Sequence, residues 1–264
     1  MALLQSVREP ALSALAAASI TFACAFGGAL LGTYVRAILP SGHLSKESQD
    51  VMRLAMGLVA TMTALLLGLV TASARSSFDS QDASMRTNAT NILTLDRLLA
   101  RYGPETRATR DLIRQAVAFR VEATWPEDGS AGAGLTQAVG TPAVEEIENQ
   151  VLQLAPATDA QRWFKSEALR LTEDVMKARW RALGSQEGSV PLLFLAVVIL
   201  WLTATFVSFG LYAPPNASVI TVLFVAAISV AAAVFLTLEL DGPFDGLIKI
   251  SSGPMRYALS QLGQ

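Results

Sequence analysis

The sequence predicts an all-α integral membrane protein with four transmembrane helices. The prediction rests on four long apolar runs that contain no Asp, Glu, Lys, Arg or His. The runs are Ala11–Val35, Leu54–Ala74, Val190–Tyr212 and Ala217–Leu238. A bilayer core of about 30 Å is crossed by about 20 apolar helical residues, and each run is that long. The composition agrees, because 52% of the residues are hydrophobic and only 16% are charged.

The runs form two pairs, one on each side of a polar insert, and this order divides the chain. We expect a transmembrane hairpin over residues 1–74, a helical insert over 75–189, a second hairpin over 190–240 and a C-terminal segment over 241–264. A secretory signal would also begin with an apolar run. The first run is longer than the apolar region of such a signal and a second span follows it, so a retained helix is favoured.

The distribution of basic residues predicts the orientation. Four spans place both chain ends on the same side as the insert, and residues 36–53 and 213–216 on the other side. Close to the spans, Lys and Arg are more numerous on the side of the insert, since the opposite side carries only Arg36, Lys46 and Arg53. The positive-inside rule therefore places the termini and the insert in the cytoplasm.

The insert has the pattern of a series of helices. Apolar spacing and breaker residues predict helices over Ser76–Arg101, Pro104–Thr124, Pro142–Leu154 and Thr158–Leu183, with a loop over Glu127–Gly140. Neither Gly nor Pro occurs between Ala74 and Arg101, so the second span can continue into the insert as one rod. Residues 246–262 are expected to form a turn and an amphipathic helix near the membrane surface.

No catalytic or metal-binding motif is present in the sequence. The single histidine, His43, lies in a short loop beside Gly42, and the single cysteine, Cys24, lies inside the first run. We therefore expect neither an enzyme nor a bound cofactor. The net charge of −2 offers no basic patch for nucleic acid, which leaves the lipid bilayer as the evident partner.

Small and hydroxylated residues recur at helical spacing in the second span. They are Gly57, Thr61, Ala64, Gly68, Thr71 and Ala72. Such a face lets helices approach closely in lipid, where packing drives association. The alternative is that this face, or the bulkier face beside it, lines a narrow pore that gates by dewetting. The candidate pore-lining residues are Thr61, Met62, Leu65, Gly68 and Leu69.

An acidic motif follows the last span directly. Its members are Glu239, Asp241, Pro243, Phe244 and Asp245. Carboxylates at the bilayer edge are costly unless they are paired, so we expect them to meet basic residues of the insert or to cap the next helix. A Ca²⁺ site formed by Glu239, Asp241 and Asp245 is the alternative, although the spacing is not that of an EF-hand.

Several stretches together resemble a bacterial bestrophin-like family of unknown function. The resemblance rests on the hairpin spans and on three motifs: residues 95–105 (LDRLLARYGPE), residues 125–128 (WPED) and Glu239-Leu240-Asp241 followed by residues 243–246 (PFDG). The family is remotely similar to bestrophins, which are pentameric anion channels with four spans and a helical cytoplasmic region. The resemblance implies a location in the bacterial inner membrane.

Two functions are compatible with these expectations. The preferred one is a homo-oligomeric ion channel, pentameric and conducting small anions, with the second span lining the pore. The other is a non-conducting scaffold or sensor, whose cytoplasmic insert binds a protein partner. A coupled transporter is disfavoured because the four spans carry no charged residue.

Overall fold

The computed structural model describes residues 14–38, 46–125, 136–184, 192–214, 216–242, 244 and 247–264. The described residues form α-helices joined by short turns and contain no β-strand. The helices are α1 (Ala14–Ile38), α2 (Lys46–Tyr102), α3 (Arg107–Thr124), α4 (Thr136–Gln153), α5 (Asp159–Gly184), α6 (Leu192–Tyr212), α7 (Ala217–Asp241) and α8 (Gly253–Gln261). A single 3₁₀ turn, Pro104–Thr106, connects α2 to α3.

The helices confirm the all-α membrane prediction. Four of them, α1, α2, α6 and α7, are long and apolar enough to cross a bilayer, so this is a multi-pass membrane protein. Helix α2 runs for 57 residues through both the second apolar run and the first helix of the insert, as the absence of Gly and Pro predicts. Helix α3 begins after Pro104, and α5 spans nearly the predicted segment.

The predicted loop of the insert differs from the structure at its end. Helix α4 starts at Thr136, although the sequence placed a loop up to Gly140 and a helix start at Pro142. Both residues are helix breakers by propensity, and the structure shows that the helix nevertheless passes through them. His43 and the first part of the predicted loop lie outside the described residues.

The described residues divide into two compact units. Unit 1 lies within Met1–Phe78 and Gly188–Ile248, and unit 2 lies within Asp79–Glu187 and Lys249–Gln264. Helix α2 contributes its first part to unit 1 and its second part to unit 2. The C-terminal segment is divided at Ile248, so its helix belongs with the insert helices.

Unit 1 is built around a tight contact between α1 and α6. A Cβ atom added at Gly32 would overlap the carbonyl oxygen of Val207, and one added at Gly210 would overlap the carbonyl oxygen of Ala29. Glycine is therefore required on both helices where their backbones meet. At Gly28 the added atom would lie 3.1 Å from the Thr203 carbonyl oxygen, which is also tight.

Helix α7 joins α1 through an apolar core. Its members are Ala25, Ala29, Phe206 and Ala227, surrounded by partly buried Phe22, Phe26, Leu223, Ala226 and Val230. The ring of Phe224 meets those of Phe22 and Phe26 edge-on, at centroid distances of 5.5 Å and 5.3 Å. Small residues and aromatic rings thus alternate in filling the space between these helices.

Unit 2 encloses a helical core to which the C-terminal tail contributes. The buried residues of α2 include Leu95 and Leu99, while Ile250 and Met255 come from the tail. The indole Nε1–H of Trp125 donates a 2.9 Å hydrogen bond to the carbonyl oxygen of Ile250. The tail forms the helix α8 that the sequence predicted, and its residues Met255 and Ala258 are buried.

Candidate functional site

The membrane-spanning part of α2 is the least buried of the four spans. Of the 18 residues in its most apolar stretch, only 6% are buried, against 22–33% in the corresponding stretches of α1, α6 and α7. The other three spans therefore share a core within one protomer. Helix α2 is held against them by a single face.

The inward face of α2 meets α6 and α7. Thr63 and Ala74 are buried on it, with 4% and 0% of their surfaces exposed. The hydroxyl of Thr71 lies 2.8 Å from that of Thr237 on α7, and the two form a hydrogen bond. Around this pair, side chains of the three helices enclose an apolar void of only about 10 Å³. The contact is close-packed and leaves no room for an ion path between α2 and its neighbours.

The opposite face of α2 carries all five candidate pore-lining residues. The exposed fractions are 48% for Met62, 69% for Leu65 and 66% for Leu69. Thr61 is exposed as well, and its hydroxyl donates a 2.8 Å hydrogen bond to the Gly57 carbonyl oxygen of its own helix. A Cβ atom added at Gly68, the fifth candidate, would meet nothing within 4 Å. These residues are therefore free to face lipid, an aqueous pore or another copy of the chain.

The glycines of the membrane helices fall into two groups. Gly28, Gly32 and Gly210 are used inside the protomer, because helix backbones meet at them. Gly57 and Gly68 on α2 have open space instead. Within the described residues, the small stripe of α2 thus contacts no other helix except through Thr71. Its predicted close-packing partner is not another helix of the same protomer.

The acidic motif at the end of α7 is partly explained by backbone contacts. Glu239 is buried, with 7% of its surface exposed, and its Oε2 atom accepts hydrogen bonds from the backbone N–H groups of Leu247 at 2.6 Å and Ile248 at 3.3 Å. This carboxylate therefore fixes the turn that follows the last span. Asp241 and Phe244 are half-buried.

The predicted Ca²⁺ site needs a residue that the structure does not describe. Pro243 and Asp245 lie outside the described residues, and among the residues that are described no group of three His, Cys, Asp or Glu could hold a metal ion. With one oxygen of Glu239 engaged by two amides, the calcium alternative stays a prediction.

Unit 2 contains an ion pair that the sequence did not predict. Asp96 on α2 has a fully buried side chain and receives two hydrogen bonds from Arg110 on α3, from Nε at 2.8 Å and from Nη2 at 3.0 Å. These bonds raise the pKa of Arg110. The two residues lie on opposite sides of the Tyr102-Gly103-Pro104 turn, and the residue types alone do not pair them.

A basic groove lies beside this ion pair on α2. It has a volume of about 300 Å³ and is lined by Leu93, Thr94, Arg97, Leu98 and Arg101. The guanidinium of Arg97 donates to the carbonyl oxygens of Gln264 at 3.0 Å and Gln261 at 3.4 Å. Arg101 is exposed and has no hydrogen-bond partner among the described residues. The groove is thus cationic, and its lining contains no carboxylate.

Comparisons with known proteins agree with this architecture. A family model of the Bestrophin-like domain matches residues 20–255. A bacterial bestrophin homolog from Klebsiella pneumoniae superposes with a TM-score of 0.61 at 16% sequence identity, over 90% of this chain and 98% of that chain. A point mutant of that homolog gives a TM-score of 0.59 at 18% identity over the same shares. No curated protein matches the chain significantly.

The two kinds of match support different conclusions. At these identities the solved structures show that the fold is shared. The family model covers most of the chain, from the middle of α1 into α8. The chain therefore belongs to the bestrophin-like family.

Proposed function

We propose that the chain forms a homo-oligomeric ion channel in which α2 of each copy lines a central pore. The observation that carries the proposal is the outward face of α2, which the protomer leaves uncovered along the whole membrane span. Family membership and the shared fold of the Klebsiella homolog support the same function. We take a pentamer in the inner membrane of a bacterium, with the insert in the cytoplasm, as the working arrangement.

The composition of the outward face favours a second copy over lipid alone. Bulky apolar side chains are well suited to contact with lipid. Small residues, such as the stripe of Gly57, Thr61, Ala64 and Gly68, allow the backbone of another helix to approach closely. Copies of α2 that meet through this stripe turn the neighbouring Met62, Leu65 and Leu69 toward the shared axis. A ring of such side chains forms an apolar constriction that closes by dewetting.

Anions are the proposed permeant ions. The span of α2 between Leu54 and Ala74 contains no carboxylate, and between Arg75 and Arg101 the same helix carries four arginines against three aspartates. Rings of basic side chains attract anions and repel cations near a pore. The resemblance to bestrophins points to the same class of ion.

The test compares ion flux through purified protein reconstituted into liposomes. Chloride efflux and sodium efflux are measured for the native chain and for Leu65→Ala, which shortens a side chain that is 69% exposed. We expect chloride efflux from the native chain and a several-fold increase in the variant, because a smaller side chain widens the constriction and eases its wetting.

The matched control is Leu200→Ala on α6, where the side chain is 65% exposed but lies away from α2. Its flux should equal that of the native chain. Equal effects of the two substitutions would contradict the assignment of the pore to α2. Absence of flux from every sample, with native oligomers present by mass photometry, would contradict the channel itself.

The scaffold alternative has one observation in its favour. Two large aromatic side chains of α5, Trp163 and Trp180, are 57% and 58% exposed on the insert. Exposed tryptophan is typical of protein-binding surfaces. If the native chain conducts no ion and a protein partner is captured through these two residues and lost in the double Ala variant, the scaffold function replaces the channel.

A further inference from the structure

The groove beside the Asp96–Arg110 pair brings two arginine side chains of α2 together. Arg97 and Arg101 are one helical turn apart on α2, so their guanidinium groups can reach one ligand. Arg97 is held in place by the carbonyl oxygens of Gln261 and Gln264, which engage its two terminal nitrogens. Arg101 presents its donors to the open side of the groove.

The remaining lining supplies one hydroxyl group and two leucine side chains. Thr94 is exposed at the rim, while Leu93 and Leu98 form the walls. No acidic side chain lines the groove to compete for the guanidinium groups. A volume of about 300 Å³ holds an anion with two phosphate groups and leaves room for water. Guanidinium groups recognise phosphate oxygens in bidentate fashion.

We propose that this groove is a binding site for a small, water-soluble, polyvalent oxyanion of the phosphate class. Arg101 supplies the exposed bidentate contact, and Arg97, fixed by the tail, supplies the second charge. The site lies outside the span of α2 and uses none of the candidate pore-lining residues.

A free anion and a lipid headgroup offer the same phosphate chemistry, and the comparison of vesicles described below distinguishes the two sources.

The test measures binding of inorganic diphosphate to the full-length protein in detergent by titration calorimetry, with sodium chloride matching the ionic strength. We expect a saturable site in the native chain and at least a tenfold higher Kd in Arg101→Gln. Arg101→Lys keeps the charge and loses the planar fork, so its Kd should rise about threefold. The control Arg162→Gln removes an arginine whose side chain is 61% exposed on α5, and it should bind as the native chain does.

Two results would overturn the site. One is the same Kd for Arg101→Gln and Arg162→Gln. The other is a Kd that rises when the protein is moved from phosphatidylcholine vesicles to vesicles with phosphatidic acid, since a competing lipid phosphate would then occupy the groove. The two proposals can fail independently. Absence of ion flux together with diphosphate binding to the native chain would contradict the channel but not the binding site.

Discussion

Two arginines of α3 should respond in opposite ways to the same substitution. Arg110 donates two hydrogen bonds to the buried carboxylate of Asp96, which raises its pKa. Arg120 has its pKa lowered, first by burial and then by the positive charge of Arg179. A raised arginine pKa means that the fold favours the charged form, and a lowered one means that the fold disfavours it. We therefore expect Arg110→Met to destabilise the protein and Arg120→Met to stabilise it.

The size of the first effect follows from the burial of Asp96. Its side chain is 0% exposed, so removal of Arg110 leaves a carboxylate without its cation in a dry environment. Breaking a buried ion pair in this way costs about 3–5 kcal/mol. One kcal/mol moves the Tm of a domain of this size by about 2–4 °C, so the expected loss is about 6–20 °C.

The second effect is smaller and has the opposite sign. Methionine fills a similar volume, keeps the apolar part of the contact and removes the repulsion by Arg179. Replacing a poorly solvated charge by an apolar side chain is commonly neutral or stabilising. We expect a gain of about 1 kcal/mol, which corresponds to a rise in Tm of about 2–4 °C.

The assay is thermal unfolding of the full-length protein in detergent, followed by tryptophan fluorescence. The control is Arg162→Met, because Arg162 and its partner Asp159 are 61% and 91% exposed and such a surface pair contributes little. The reasoning is refuted if Arg110→Met loses no more stability than the control. It is equally refuted if Arg120→Met is destabilised as strongly as Arg110→Met.

Two further predictions concern backbone contacts. Gly32→Ala should lower the Tm by several degrees, since a methyl group overlaps the Val207 carbonyl and overpacking costs about 1–3 kcal/mol, whereas Gly27→Ala, with open space at its Cβ, should not lower it. Equal Tm values for the two variants would contradict the α1–α6 contact. Trp125→Phe removes the donor to the Ile250 carbonyl and should speed hydrogen exchange in the tail; unchanged exchange there would show that this bond does not hold the tail.

The membrane architecture could be predicted from sequence because its physical signal is local. Each span needs about 20 apolar residues, and each such run is readable without knowledge of its neighbours. The continuous helix α2 was predictable for the same reason, since only local breakers would have ended it. The predicted start of α4 at Pro142 was wrong. Gly140 and Pro142 have low helix propensity, but both lie within the helix in the structure.

The polar contacts could not be predicted because they depend on how the chain turns between the two partners. Asp96 and Arg110 meet across a turn, and Arg97 reaches the carbonyl oxygen of Gln264 more than a hundred residues away. The burial of Glu239 against the amides of Leu247 and Ile248 likewise depends on how the chain turns after α7. Charge in the sequence identifies such residues as costly to bury, but it does not name their partners.

The second span is the clearest case in which the structure of one protomer gives information that the sequence does not. A stripe of Gly and Thr predicts close packing or a pore, and the two alternatives could not be separated by residue type. Within one protomer the close packing is carried by α1 and α6, where Gly28, Gly32 and Gly210 leave little or no space for a methyl group. The glycines of α2 have no such neighbour, so the protomer does not explain them. We propose that a second copy of the chain is the neighbour that packs against them. For that reason oligomer formation and ion flux should fail together when bulky residues replace Gly57 and Gly68, while the fold of each protomer stays intact.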